Sequence, residues 1–271
     1  MIKPKHFLKF GALLPIAFVL LSFSCSNQKQ LANNTAVSEN NKYVRLSIEL
    51  LNAVKTGKDS DELKGEYENL HLDSLTKYLI TDTHKKAFWI NTYNAYIQIL
   101  LAQSPEYFEN RGDFFGKPQI IIAQRKLSFD DIEHGIIRGS KIKLSLGLLK
   151  NPLVGEFEKK LRTDNEDGRV HFALNCGAKS CPLVAIYDAK NFDAKIDKVA
   201  KSFLNKMSTY NKEENTVLTT PLFSWFRGDF EGKKGILKLL EQYEVISKGS
   251  EPEIKYDDYD WTLSLGNYYG E

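Results

Sequence analysis

Ala87-Phe88-Trp89-Ile90-Asn91-Thr92-Tyr93-Asn94-Ala95-Tyr96-Ile97-Gln98-Ile99-Leu100 is apolar around most of a helical circumference. A helix over Lys85 to Gln103 that is greasy on nearly all sides belongs at the centre of a domain. Its polar exceptions are ordered. Asn91, Asn94 and Gln98 stand at i, i+3 and i+7, so they share one stripe. Buried amides without partners are costly, so this stripe must meet other polar groups.

Working outward, Val44, Ile48, Leu51 and Val54 give Tyr43–Lys55 a helical period, and Asp61–Ile80 reads as one or two amphipathic helices. Gln119–Leu127 predicts a strand. Ser128-Phe129-Asp130-Asp131 has the form of a capping box that opens a helix through Arg138, with Gly139 closing it. On that helix Asp130, His134 and Arg138 recur every fourth residue. Leu153–Leu161 and Gly235–Tyr243 predict short helices, and Asn191–Met207 a longer one; Thr216–Thr220 and the aromatic tail Tyr256–Leu265 predict strands. Short strands among many helices define the class as α+β: a small, mainly antiparallel sheet packed against several helices around a central buried helix.

Arg169-Val170-His171-Phe172-Ala173-Leu174-Asn175-Cys176-Gly177-Ala178-Lys179-Ser180-Cys181-Pro182 holds two of the three cysteines and one of the five histidines. Alternation of Val170, Phe172 and Leu174 predicts a strand, with Arg169, His171 and Asn175 on its other face. It empties into a Cys-Gly-…-Cys-Pro loop. A thiol beside an imidazole is the machinery of acyl transfer through a cysteine. Cys176 or Cys181 would be the nucleophile, and His171 or His134 the base. Glu133, Asp130 or Asp229 would orient the imidazole, and Asn175 or the Gly177 amides would stabilise an oxyanion. The competing expectation is a Cys176–Cys181 disulfide in a structural loop. A metal site built from His171, Cys176, Cys181 and His134 lacks a standard zinc spacing, so no metal or other cofactor is expected.

The N-terminus carries Lys3, Lys5 and Lys9, then an uncharged, mostly apolar run from Phe10 to Ser24 that stops at Cys25. That pattern resembles a bacterial lipoprotein signal and implies lipidation of Cys25 after loss of residues 1–24. Residues 25–42, rich in Asn, Ser and Gln, then form a flexible tether, and residues 43–271 a single domain. The expected location is the bacterial cell envelope, held to a lipid bilayer, on the outer membrane facing the periplasm. Losing three lysines takes the net charge from +2 to −1, which disfavours nucleic acid as a partner. A peptide, protein or glycan is the expected substrate or ligand.

Ala87–Ala95, Asp131-Ile132-Glu133-His134-Gly135-Ile136-Ile137-Arg138 and Val170–Pro182 together resemble the family called domain of unknown function 547. Phe223-Ser224-Trp225-Phe226-Arg227-Gly228-Asp229-Phe230 and Tyr259-Asp260-Trp261 are weaker matches in the same order. The resemblance singles out Asn91, Asn94, Glu133, His134, Arg138, His171, Asn175, Cys176, Cys181 and Asp229. It implies no established role for any of them. A more distant similarity connects the pattern with papain-like and transglutaminase-like enzymes, which start their central helix with a cysteine; here the helix has Asn91 and no cysteine. The sequence reading therefore assigns catalysis to Cys176, Cys181, His171, His134 and Glu133, and substrate contact to Asn91, Asn94, Arg138, Asn175 and Asp229. The function expected is that of a thiol-dependent hydrolase or acyltransferase. The alternative is a non-catalytic peptide- or glycan-binding or scaffold module with its cysteines bridged.

Overall fold

The chain divides into two units, residues 1–40 and 41–271. The computed structural model describes residue 1 and residues 41–270, and everything below concerns the second unit. The signal segment, Cys25 and all but the end of the tether lie outside the described residues. Among the described residues, both hydrophobic clusters are built from residues after position 41.

Four helices open the unit: α1 (Lys42–Lys55), α2 (Asp61–Glu68), α3 (Leu72–Tyr78) and α4 (Asp82–Gln103). As its sequence demands, α4 is the axis, buried at every residue from His84 to Ile99. α1 packs along it, burying Val44, Leu50 and Leu51. A single turn-and-a-half, α5 (Arg111–Gly116), leads to a hairpin of β1 (Ile120–Ile122) and β2 (Arg125–Leu127), paired Ile120 to Leu127 and Ile122 to Arg125. The single strand expected over 119–127 is therefore two. Ala123 and Gln124 make its turn with φ of 51° and 61°, a conformation that neither residue advertises.

The Ser128 capping box forms as read. Ser128 N–H donates to Asp131 Oδ2 at 2.8 Å, and Asp131 N–H donates to Ser128 Oγ at 3.0 Å. The helix it opens, α6 (Asp131–Ile137), is π-wound: the Arg138 N–H reaches the Glu133 carbonyl five residues back. Gly139 then turns the chain at φ +63°. Next come α7 (Glu156–Leu161), α8 (Phe192–Met207), the strands β3 (Thr209–Asn211) and β4 (Thr216–Thr219), α9 (Leu222–Trp225), α10 (Gly232–Gln242) and β5 (Glu253–Tyr256). β3 pairs with β4 antiparallel and β4 with β5 parallel. The class is α+β, small sheets among helices.

Two expected strands are corrected. Residues 168–172 coil into a 3₁₀ turn, because Asp167 caps it by accepting the Arg169 N–H at 3.1 Å and no strand edge lies alongside. Every residue from Val170 to Asn175 is buried, so the apolar alternation there has no solvent face to report. The tail after Tyr256 is not a continuous strand. It is stitched down by single bridges, Ala178 to Leu263 and Val184 to Tyr268.

Candidate functional site

The amide stripe of α4 builds the thiol loop. Asn94 Nδ2 donates to the Ala173 carbonyl at 2.8 Å, and its Oδ1 accepts the Asn175 N–H at 2.9 Å. Asn175 in turn donates to the Pro182 carbonyl at 2.7 Å and accepts the Gly177 N–H at 2.9 Å. One turn earlier, Asn91 donates to the Tyr187 carbonyl and accepts the Tyr187 N–H, at 2.8 and 2.9 Å. Gln98 Oε1 accepts the Gly266 N–H at 2.9 Å. A loop with few ladder hydrogen bonds is thus held by three asparagines that mimic a neighbouring strand. Asn91, Asn94 and Asn175 spend both ends of their amides on the backbone. The Asn175 amide and the Gly177 N–H, expected at an oxyanion, are bonded here to the Pro182 carbonyl and to each other.

The loop brings Cys176 and Cys181 together as free thiols, each partly exposed. Cys181 Sγ accepts the Cys176 N–H at 3.0 Å and lies 3.2 Å from the Tyr259 hydroxyl. The same hydroxyl is 3.7 Å from Cys176 Sγ. Burial opposes ionisation of Cys181, but the donors gathered on its sulfur, from Cys176 and Tyr259, outweigh it and lower its pKa. Cys176 is pushed the other way, first by its bond to Cys181 and then by burial. The thiolate of the pair therefore belongs on Cys181. Burial and the adjacent sulfurs keep Tyr259 protonated, a standing donor.

Across the cavity stands a charged cluster. His171 Nε2 donates to Asp229 Oδ2 at 2.7 Å, and Arg138 Nε donates to the same oxygen at 2.6 Å. Arg138 Nη1 lies 2.8 Å from His134 Nδ1. A guanidinium can only donate, so His134 accepts at Nδ1 and carries its ring proton on Nε2, which faces Asp130 at 3.5 Å. Burial lowers the His171 pKa and keeps the ring neutral. With its proton on Nε2, His171 leaves Nδ1 without a hydrogen-bond partner among the described residues, whereas both nitrogens of His134 are engaged. Phe226 fixes the His171 ring from the side, stacked with centroids 3.7 Å apart, and also lies beneath the Arg138 guanidinium at 4.7 Å. Burial opposes the Asp229 carboxylate, yet its bonds to His171 and Arg138 hold its carboxyl below the usual range. Arg138 and Asp229 thus touch the imidazoles rather than the cavity.

Glu133, His134, His171, Cys176 and Cys181 all line one cavity of about 260 Å³, which sequence positions far apart on the chain build together. Its remaining wall is mostly apolar and includes Leu174, Leu222, Trp225 and Phe226. Two wall residues escaped the sequence reading. Tyr93, taken as core, directs its hydroxyl toward Glu133 Oε2 at 3.4 Å; Tyr259 contacts both sulfurs. The available signal was the hydroxyl itself, since a buried tyrosine needs a polar partner. Among the described residues no group of three or more His, Cys, Asp or Glu side chains is placed to hold a metal ion. None of their helices is long and apolar enough to cross a membrane.

The cavity of this helix-centred α+β domain is lined both by a thiol whose pKa is lowered and by an imidazole held by Asp229. Residues 79–204 match the family model described as a protein of unknown function, DUF547, which supports the resemblance of the chain to that family. The match spans α4, α6 and the thiol loop, and stops before Asp229 and Tyr259. No curated protein and no solved structure matches the chain.

Proposed function

We propose that this cavity performs thiol-dependent acyl transfer, with water or a second nucleophile as acceptor. Cys181 attacks the acyl carbon, and His171 Nδ1 takes the thiol proton as the carbon–sulfur bond forms. The imidazolium then protonates the departing group, leaving an acyl-thioester on Cys181. In the hydrolytic case water attacks the thioester, His171 removes the water proton, and the acid departs as the sulfur regains a proton. Asp229 holds the tautomer that leaves Nδ1 free, and Arg138 fixes Asp229. The Tyr259 hydroxyl, 3.2 Å from Cys181 Sγ, is the neutral donor beside the attacking sulfur; it is released as the carbon–sulfur bond forms and serves the oxyanion. The apolar wall suits an acyl donor whose acyl part is hydrophobic.

The observation that carries this reading is one cavity lined both by a donor-loaded Cys181 and by a His171 whose Nε2 is bound to Asp229 and whose Nδ1 has no partner among the described residues. The test is iodoacetamide labelling of native protein, with the modified residue mapped by mass spectrometry. One fast thiol at Cys181, abolished by Cys181→Ala and slowed by His171→Ala, is expected. A pair that labels only after reduction, or two thiols that label slowly and equally, would refute it. The first of these outcomes, a bridged pair, favours a binding module, for which Trp225 and Trp261, stacked 5.8 Å apart beside Tyr259, supply an aromatic platform for a peptide or glycan.

We infer further that the chain is a lipid-anchored envelope protein, on the support of the charged start, the apolar run and Cys25. Cys25→Ser is expected to abolish incorporation of radiolabelled fatty acid; undiminished labelling would exclude that anchor.

A further inference from the structure

Next to the cavity the chain runs through Lys141-Ile142-Lys143-Leu144-Ser145-Leu146-Gly147-Leu148-Leu149-Lys150-Asn151-Pro152-Leu153. Leu144 and Leu153 are 90% and 89% exposed, and Ile142, Leu146, Leu148 and Leu149 range from 40% to 65%. Six large aliphatic side chains in solvent within twelve residues form an apolar patch of a kind that marks an interaction surface. The loop is not loose. Lys141 Nζ donates to the Gly147 carbonyl at 2.6 Å, the Ile142 N–H to the Leu149 carbonyl at 2.9 Å, and the Gly228 N–H to the Leu146 carbonyl at 2.7 Å. Gly147, at φ +79°, sits so close to Asp229 that a Cβ would lie 2.3 Å from Oδ1. The fold therefore presents these leucines rather than failing to bury them, and fastens them to the turn that holds His171.

We propose that this loop is a lipid-docking surface, seated on a bilayer carrying anionic headgroups, with the cavity mouth held at the interface. Three observations select that occupant. Residues 141–155 contain three lysines and no acidic residue. Lys143 and Lys150 flank the leucines with about half of each side chain in solvent, the arrangement of basic heads over an apolar insertion. Lys143 pairs with Asp130 at 2.7 Å and Lys150 with Glu166 at 3.2 Å, which partly offsets their charge, so apolar insertion leads and headgroup attraction adds to it. Lys143 and Leu144 also line the cavity, which puts its rim on the docking face. The third observation rests on the Cys25 anchor proposed above. Fifteen residues lie between Cys25 and Asn41, sixteen steps of chain that span at most about 55 Å, so the domain stays within reach of the membrane that holds it.

The test uses the chain from residue 25 onward with Cys25→Ser, which carries neither the apolar run nor a lipid, so that failure of the anchor does not decide it. Sedimentation with sucrose-loaded vesicles of phosphatidylethanolamine and phosphatidylglycerol is expected to pellet the domain. The double substitution Leu144→Ser, Leu153→Ser is expected to weaken binding by about tenfold or more, with its thermal unfolding unchanged because both side chains stand in solvent. In a second variant, Leu144→Trp, added vesicles are expected to shift tryptophan emission to the blue. A parent domain that stays in the supernatant at every lipid concentration, or a double variant that binds as well as the parent, overturns the proposal. So does a parent that self-associates without lipid through these same leucines, which would make a second copy the occupant.

Discussion

Replacing Tyr259 by Phe removes one hydroxyl and keeps the ring that packs on Trp225 and Trp261. The hydroxyl stands 3.2 Å from Cys181 Sγ. A hydrogen bond to a charged acceptor contributes about 1.5–3 kcal/mol. Where the thiol is mostly protonated, losing that much lowers the thiolate fraction about 10- to 150-fold, at about 1.4 kcal/mol per factor of ten. The less stabilised thiolate is also the better nucleophile, and a Brønsted slope of about 0.4–0.5 restores roughly half of the loss on a logarithmic scale. Iodoacetamide should therefore modify Cys181 about 4- to 12-fold more slowly in Tyr259→Phe at mildly acid pH. At alkaline pH, where both proteins are fully ionised, the order reverses and the variant reacts faster. Stopped-flow alkylation across pH, with thiolate absorbance followed in parallel, checks both limbs. An equal slowing at every pH would point to lost access, and an unchanged profile would show that Tyr259 does not carry the thiolate; either refutes the reasoning.

Asp229→Asn leaves the buried Arg138 without its carboxylate, its side chain being 1% exposed, and is expected to cost about 3–5 kcal/mol in urea unfolding at constant m-value. Asn94→Ala strips partners from the Ala173 carbonyl and the Asn175 N–H, two buried groups, for a loss of about 2–5 kcal/mol and faster amide exchange over the thiol loop by mass spectrometry. Ser128→Ala breaks one arm of the capping box and should lower stability by about 1 kcal/mol, read from the denaturant midpoint. His171 and Asp229 both titrate below their ordinary values of 6.5 and 3.8, His171 through burial and Asp229 through His171 and Arg138 against burial. Each then contributes stability that is complete above its ordinary value and lost as pH falls through the lowered one. The melting temperature should be level above about pH 6.5 and decline below it, with the upper part of the decline missing in His171→Gln; stability that rises on acidification would contradict both directions.

The central helix and the Ser128 cap were legible because their signals are local: an apolar circumference, and two side chains within reach of each other's backbone. The amide stripe was legible as a demand, since Asn91, Asn94 and Gln98 had to be satisfied, but nothing nearby named Tyr187, Ala173, Asn175 or Gly266 as the partners. The 3₁₀ turn at 168–172 misread as a strand because alternation describes a strand with one wet face, and this segment has none. The thiol pair shows the limit most sharply. Cys176 and Cys181 flank one loop and look equivalent in sequence, and the histidines have similar acidic neighbours. What separates them is a tyrosine hydroxyl from the tail, 78 residues beyond Cys181, and a carboxylate 58 residues beyond His171. Each contact is chemically ordinary and gains weight through burial, where the donors gathered on Cys181 lower its pKa and a single acceptor fixes which ring nitrogen of His171 is free. Pattern along the chain can therefore nominate both sulfurs and both imidazoles, but choosing among them needs the fold to place Tyr259 and Asp229.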